Sequence, residues 1–434
     1  MARSGARLVV LLTFLSLFAP GPPASAERVF DPQAPPEIRY RLTPALSFGA
    51  DIEMDYSFRR NLDLDDRRRD DVALLTPELS LAWSFDPAPT FQGFLNVALA
   101  RPLVIEDRGV NARQSAEDFT IEVKEAYVRA GRLSGGPSAQ IGRQRFDDER
   151  KWLYDEDLDA VRLRYVGEAF AVELSASRNN LVRTKWGGPD ERERIDNYVL
   201  LASYAPRSWI QLEGYAIVRE ARTPDPRTPV FLGFRSRGEP VQDLDYWLEL
   251  GFAGGRDGSK RVRGWGVDLG ATYEWQVRLR PSATLGFAFG SGDRDPDDSL
   301  DGSFRQTGLQ RNESDFGGST DFKYYGEILD PELSNLAIFT VGIGVRPSDK
   351  WSVDLVYHYF QQHRASTTLR NAAIGAEPSG HSRRLGGEID LIVGVVEILD
   401  RIEVKATLGY FFPGAALPPG AGAWGAGVEA KFRF

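Results

Sequence analysis

The sequence predicts an all-β chain folded as one eighteen-stranded antiparallel transmembrane outer-membrane β-barrel, and three observations carry that expectation. Polarity alternates with a period of two over stretches longer than soluble strands usually run, most clearly from Leu46 to Arg59. Short turns alternate along the chain with long polar loops, the habit of barrels with one short-turned and one long-looped rim. Beyond residue 26 the longest apolar run, Leu391 to Val396, is six residues and contains Gly394. That excludes a spanning helix, whereas a barrel strand crosses with about ten residues of alternating polarity.

The elements follow in order. Arg3 and Arg7 precede an eleven-residue apolar stretch, Leu8 to Phe18, and then Ala24-Ser25-Ala26, the pattern of a removed signal peptide over residues 1–26. Residues 27–45 read as a periplasmic lead-in and 46–434 as the barrel. The chain has no cysteine, which excludes disulfides and thiol-linked lipid. Its net charge is −9, and removing residues 1–26 takes away two arginines and no acid, leaving −11. Nucleic acid is not an expected partner, because no basic excess exists to displace counterions from phosphates. No cofactor is expected, and the lipid of the outer membrane is the expected surrounding.

Strands are expected to begin near 46, 72, 90, 119, 138, 158, 169, 194, 208, 229, 241, 262, 281, 334, 350, 384, 401 and 422. Turns such as Val166-Gly167-Glu168, Ala205-Pro206-Arg207 and Ile398-Leu399-Asp400 would then lie on the periplasmic rim. The long stretches 105–118, 179–193, 291–333 and 363–383 would be extracellular loops. Pro77 falls inside the second strand and predicts a bulge there, since proline lacks a ladder donor. A barrel of this size is expected to hold an open aqueous lumen. Val428, Ala430, Phe432 and Phe434 alternate with Glu429, Lys431 and Arg433 at the chain end. A terminal phenylalanine on such a strand resembles the recognition signal read by the bacterial barrel assembly machinery.

The stretch GRQRFDDERKWLYDEDLDAVRLRY, residues 142–165, carries seven acidic and six basic side chains directly into a strand. Alternation sends Val161, Leu163 and Tyr165 to lipid and Arg162 and Arg164 into the lumen, with Phe146 to Asp157 as an extracellular loop. The same stretch resembles the bacterial alginate export family, as do LDYWLELG at 244–251, FRQTGLQ at 304–310 and YYGEILDPELSN at 324–335. The resemblance covers most of the chain after residue 26, in the same order. It implies an eighteen-stranded channel passing an anionic uronate polysaccharide outward, and it assigns Arg143 and Arg145 to an arginine-rich lining beside Arg162 and Arg164. Alternation places Arg143 and Arg145 outward, beside the lipid-facing Ile141, unless Gly142 marks a bulge. In the family's best-known members a long periplasmic loop among the last strands helps plug the pore, whereas the matching turn here, after Ile398, spans three or four residues.

The expected lumen also takes Arg59, Arg219, Arg235 and Arg384, with Asp51, Glu53, Asp245, Glu249, Glu388, Asp390 and other acids outnumbering the bases. A polyanion then requires the basic groups to crowd the constriction, because selectivity is set by a local ring of charge. Trp247 is a candidate sugar contact on the lumen face, while Trp152, Tyr154 and Trp186 either stack on sugars or girdle the membrane. Asp155, Glu156, Asp157 and Asp159 either gather a Ca²⁺ or form a solvated loop paired with the neighbouring Arg150 and Lys151; the fixed spacing and turn glycine of a calcium loop are missing. Only three histidines are present, and His358 reads as lining rather than as the base of a barrel hydrolase. A diffusion porin for small organic anions, which needs no plug, is the competing reading.

Overall fold

The structure, a computed structural model, describes residues 40–68, 70–107, 118–131, 135–187, 195–221, 227–399 and 401–434. Residues 1–26 and the lead-in as far as 39 lie outside the described residues; of the lead-in, Tyr40–Arg41 pairs with Phe48 and Ser47. Eighteen strands form the wall: β1 Leu46–Arg60, β2 Val72–Ala88, β3 Phe91–Ala100, β4 Thr120–Gly131, β5 Gly136–Asp147, β6 Asp155–Val166, β7 Phe170–Arg178, β8 Ile195–Arg207 and β9 Ile210–Ala221. They continue with β10 Arg227–Val241, β11 Leu244–Asp257, β12 Lys260–Glu274, β13 Pro281–Gly290, β14 Leu336–Ser348, β15 Trp351–Gln362, β16 Arg384–Ile398, β17 Ile402–Pro413 and β18 Ala423–Arg433. Each starts within three residues of the position that alternation gives it. Pairing is antiparallel throughout the wall, and β18 closes on β1 from Asp51↔Arg433 to Arg60↔Trp424, so no edge is left unpaired at the seam.

The faces follow the alternation because a strand turns successive side chains to opposite sides. Outward aromatics form two bands, as lipid-facing girdles do. Tyr165, Phe170, Tyr204, Tyr273 and Trp351 are exposed near the short-turn rim, and Tyr198, Phe252, Trp265, Phe339 and Phe412 near the other. Pro77 needs no bulge against β1: the register runs through Met54↔Pro77 without a shift. The reason lies on its other side, where β2 changes partner from β3 to the short strand Leu103–Asp107. Pro77 sits at that change, and Arg101 N donates to its carbonyl at 3.2 Å.

Two expectations about the lumen are corrected. Residues 148–154 and most of 301–335 turn into the barrel rather than away from it, so the lumen is partly filled. Phe146, Trp152, Leu153, Phe304, Leu309, Phe316, Tyr324, Leu329 and Leu333 are buried there in one apolar core. The inward positions of the wall that receive them are apolar too: Val199, Leu201, Tyr215, Ile217, Phe231, Ala253 and Val262 belong to the same cluster. Burying this surface offsets the entropy of ordering long loops, since apolar area contributes about 25 cal/mol per Å².

Candidate functional site

The inward hairpin begins at Asp148, whose carboxylate receives Trp152 N at 3.3 Å, Leu153 N at 2.9 Å and Tyr154 N at 3.1 Å and so fixes the turn. It also accepts from Arg235 Nη2 at 2.6 Å. Arg235 is 5% exposed and reaches Glu213 on β9 at 3.3 Å and Glu249 on β11 as well, while Ser203 on β8 donates to Glu213 at 2.7 Å. One guanidinium therefore gathers three carboxylates and ties the hairpin to four strands. Two residues on, the Arg150 guanidinium lies between the rings of Trp247 and Tyr324, 4.3 and 4.2 Å from their centroids, and pairs with Asp268 at 3.3 Å.

Asp268 collects the rest of the cluster. Trp247 Nε1 donates to it at 2.8 Å and Tyr325 OH at 3.0 Å, and Trp152 Nε1 donates to Tyr325 OH at 3.2 Å. The segment 304–310 closes the hairpin from above: Thr307 Oγ1 donates to Leu153 O, Asp155 N to Leu309 O at 2.7 Å, and Phe304 stacks on Trp152. All four sequence motifs thus meet at one place inside the barrel although about 190 residues separate the first from the last. Burial pushes the Tyr324 and Tyr325 hydroxyls well above their ordinary range, so they remain donors.

The wall is not uniform around this plug. Cross-strand ion pairs on β17, β18, β1 and β2 keep contact with solvent: Lys405–Glu429 at 2.7 Å, Lys431 with Asp51 and Glu53 at 3.7 and 3.5 Å, and Arg433–Glu403 at 2.6 Å. Lys124 on β4 joins them, 3.6 Å from Glu78 on β2. The Lys431 side chain is 28% exposed, against 6% for Arg235 and 3% for Arg346, which is bound to Asp354 at 2.7 Å on the far wall. On β1 the wet inward positions climb from Glu53 through Asp55 and Ser57 to Arg59 near the extracellular end.

The residues expected from sequence divide accordingly. Arg162 and Arg164 point inward and share Glu173, at 3.1 and 2.6 Å; Arg162 is buried, its guanidinium 3.7 Å from the Phe146 ring, and Arg164 is half-buried. Arg59 is half-buried on the inner face, and Arg384 is exposed at the extracellular start of β16. Arg219 donates to Asn197 at 2.9 Å and to Thr307 O, so it holds the plug, as Arg235 does. Arg143 and Arg145 lie on the outward register set by Ile141, because pairing with β6 runs through Gly142 without a shift. Gly142 does take φ +125, which serves the close approach of Ala126 O on β4 and leaves the phase of β5 unchanged. Arg143 is bonded to Asn180 at 2.8 Å and to Lys124 O at 3.1 Å, and Arg145 to Asp155 and Asp157 at the rim.

Trp247 faces inward, but Phe316 stacks on its ring at 5.6 Å and Arg150 lies over it, so a sugar could meet only its edge. That edge borders a cavity of about 430 Å³ at the periplasmic end, lined also by Arg207, Gln211, Arg237, Asp245 and Asp315. Trp152 and Tyr154 are buried in the plug, and Trp186 is exposed on the outer surface. The acids at 155–159 are engaged by Arg145, Arg311 and Arg143 and by the amides of Leu181 and Val182, not by the expected Arg150 and Lys151, which turn inward to Asp268 and to Glu313 and Asp321. Among the described residues no cluster of three metal-ligating side chains occurs. His358 is sealed, with Nδ1 2.9 Å from the Thr340 hydroxyl and Nε2 3.6 Å from Asp390. At the terminus, Phe434 N donates to Ala50 O at 3.0 Å and Phe434 O accepts from Ala50 N at 3.2 Å.

The plug was missed in the sequence, yet it left a signal. At NYVLLASYA and GYAIV both faces of the strand are apolar, so the inner face there meets protein rather than water.

A family model described as alginate export matches residues 45–428. The alginate production protein AlgE of Pseudomonas aeruginosa is 32% identical over 134 residues, 30% of this chain and 26% of that protein. AlgE of Azotobacter vinelandii is 32% identical over 140 residues, 30% of this chain and 28% of that protein. The chain thus aligns with about a quarter of the length of each curated relative. Among solved structures, OccAB4 of Acinetobacter baumannii superposes with a TM-score of 0.60 at 11% identity, covering 92% of this chain and 100% of that one. OccK11 (OpdR) of P. aeruginosa gives 0.57 at 12%, covering 89% and 96%. At such identities these two likenesses speak to the fold alone.

Proposed function

Because the chain belongs to the alginate export family, we propose that this outer-membrane barrel conducts an anionic, alginate-like uronate polysaccharide outward by passive diffusion along the wet side of its lumen. The observation that carries the reading is the strip of half-buried cations on β17, β18, β1, β4 and β6: Lys405, Lys431, Arg433, Arg59, Lys124 and Arg164. Lys405, Lys431, Arg433 and Lys124 each face a wall carboxylate that, like them, stays partly exposed. A uronate carboxylate can take the place of that wall partner at little cost, because solvated ion pairs are worth only about 0–1 kcal/mol. This answers the excess of acids: the wall carboxylates hold the ladder of cations in place between passing charges. Signal-peptide export and insertion by the barrel assembly machinery through the Phe434 strand belong to the same reading, as does the absence of catalysis, since His358 has no route to solvent.

The competing reading, a porin for small organic anions, draws support from the plug itself, which narrows the lumen. Planar-bilayer currents distinguish the two. An oligouronate added to the periplasmic side should block the current at about 0.1 M salt and lose effect near 1 M, where the Debye length falls from about 10 to about 3 Å. Equal block by a neutral oligosaccharide of the same length would contradict anion recognition. Passage of monomeric uronate with no block by the oligomer would favour the porin.

A further inference from the structure

The segment 179–187 makes a second site, on the outside of the barrel and independent of the lumen. β4 pairs with β5 only from Gly131 to Ala126, which leaves its extracellular half without a neighbour on that side. The chain leaving β7 fills the vacancy by crossing the outer face of β6 and β5. Lys185 and Trp186 then pair with Glu122 and Ile121, and Val123 N donates to Thr184 O at 2.9 Å. On the way the arm is pinned to the wall: Leu181 N donates to Asp159 at 2.5 Å, and Asn180 accepts from Arg143 at 2.8 Å. Gly187 ends the arm at φ +93, where a Cβ would lie 1.9 Å from Phe119 O.

The wall beneath the arm changes character in one step. Ile141, Val161, Ala176 and Tyr198 are register partners across β5 to β8 and form an apolar outward row. Two residues higher, Arg143, Asp159, Arg178 and Asp196 form the next outward row, alternating in charge. Hydrocarbon must therefore end between these rows. Between arm and wall lies an open cleft of about 750 Å³, bordered by both rows and by Leu181, Val182, Arg183 and Trp186. Leu181 and Val182 are 57% and 60% exposed and supply apolar surface at the edge of this cleft. Arg183 is exposed above them, its Nε donating to Lys185 O at 3.0 Å.

We infer that this cleft holds an acyl chain of an anionic outer-leaflet glycolipid, with a headgroup phosphate on Arg183. A chain in lipid gains nothing from leaving water, so packing in the cleft and charge at its rim must supply the selectivity. The neutral alternation of the upper row leaves the exposed Arg183 as the cation at the cleft that favours a phosphate over a zwitterionic headgroup.

The test uses native mass spectrometry of the full barrel extracted from outer membranes, delipidated, then offered bis-phosphorylated lipid A, phosphatidylethanolamine or inorganic phosphate. Lipid A should be retained in preference to the other two. Ala176→Trp fills the floor of the cleft from an outward position and should abolish retention. Arg183→Glu should weaken lipid A on the order of tenfold, the scale of exchanging one headgroup attraction for a repulsion, and leave phosphatidylethanolamine unchanged. Both variants should keep the gel shift on boiling that marks a closed barrel. Unaltered lipid A retention in both, retention of phosphate alone, or a barrel dimer that Ala176→Trp disperses would each overturn the assignment.

Discussion

Two sides of one lumen are built from the same alternating strands and behave as different materials. On β7 to β16 the inward groups are dry: Glu173, Glu249, Asp268, Asp390 and His358 are buried and closed off by the inward loops. On β17, β18, β1, β2 and β4 the inward charges are half-exposed and pair across strands. Alternation fixes only which side chains point inward. What they meet there, protein or water, decides whether an ion pair is a fastening or an exchangeable contact.

The largest difference should appear on removing a cation from each side. Arg235→Leu leaves Asp148, Glu213 and Glu249 buried without their cation, and breaking such a cluster costs about 3–5 kcal/mol. Its melting temperature and its boiling-shifted gel band should fall sharply. Lys431→Leu, on the wet side, should cost no more than about 1 kcal/mol. Comparable losses at the two sites would erase the distinction.

Smaller in stability but larger in current is Arg150→Met, which removes the cation held between Trp247 and Tyr324 and the partner of Asp268. A desolvated cation–π contact is worth about 2 kcal/mol. The plug should loosen, and open-channel noise in bilayers should rise while the barrel stays assembled. A current trace indistinguishable from the parent would mean that the hairpin is held by Asp148 and Arg235 alone.

Charge reversal sharpens the wet side further. Arg164→Glu together with Lys431→Glu should leave assembly intact and move the reversal potential in a salt gradient toward cations at about 0.1 M salt, with the shift fading near 1 M. The same reversal at Arg68, exposed in the loop after β1, should do much less.

The smallest effect concerns pH. Burial pushes the Glu332 carboxyl above its usual range; it accepts from Gln306 N at 3.1 Å and Asn371 at 2.8 Å. The folded state therefore holds this proton more tightly than the unfolded state, so stability from this group falls as pH rises from about 4.5 through the folded value. Glu332→Gln should flatten that part of the melting-temperature profile, and an unchanged slope would remove Glu332 from the account.

How much of this was legible in the sequence depends on the kind of contact. Strand number, phase and rim were readable, because a two-residue period over ten or more residues is a local signal. Arg162 and Arg164 were placed by the same phase, and it also put Arg143 and Arg145 outward against what the family resemblance implied. The plug was not readable as a plug. Its loop is polar on average, and Phe304, Tyr324, Leu329 and Leu333 look like scattered residues until Val199, Ile217 and Phe231 are seen facing them. Trp247 was assigned the correct face, but the Arg150 and Phe316 that cover its ring come from elsewhere in the chain.

The chain contains no cysteine, so single cysteines report without background on which side of the lumen carries water. Cysteines placed at Arg164, Lys431 and Ser57 on the wet side, and at Val199, Ile217 and Val262 under the plug, can be treated with a membrane-impermeant charged thiol reagent in intact bilayers while current is recorded. The account predicts rapid modification and a stepwise loss of current at the first three, with no reaction at the second three. Equal labelling of the two sets, or current loss only from the second, would contradict a conducting path along β17, β18, β1 and β6.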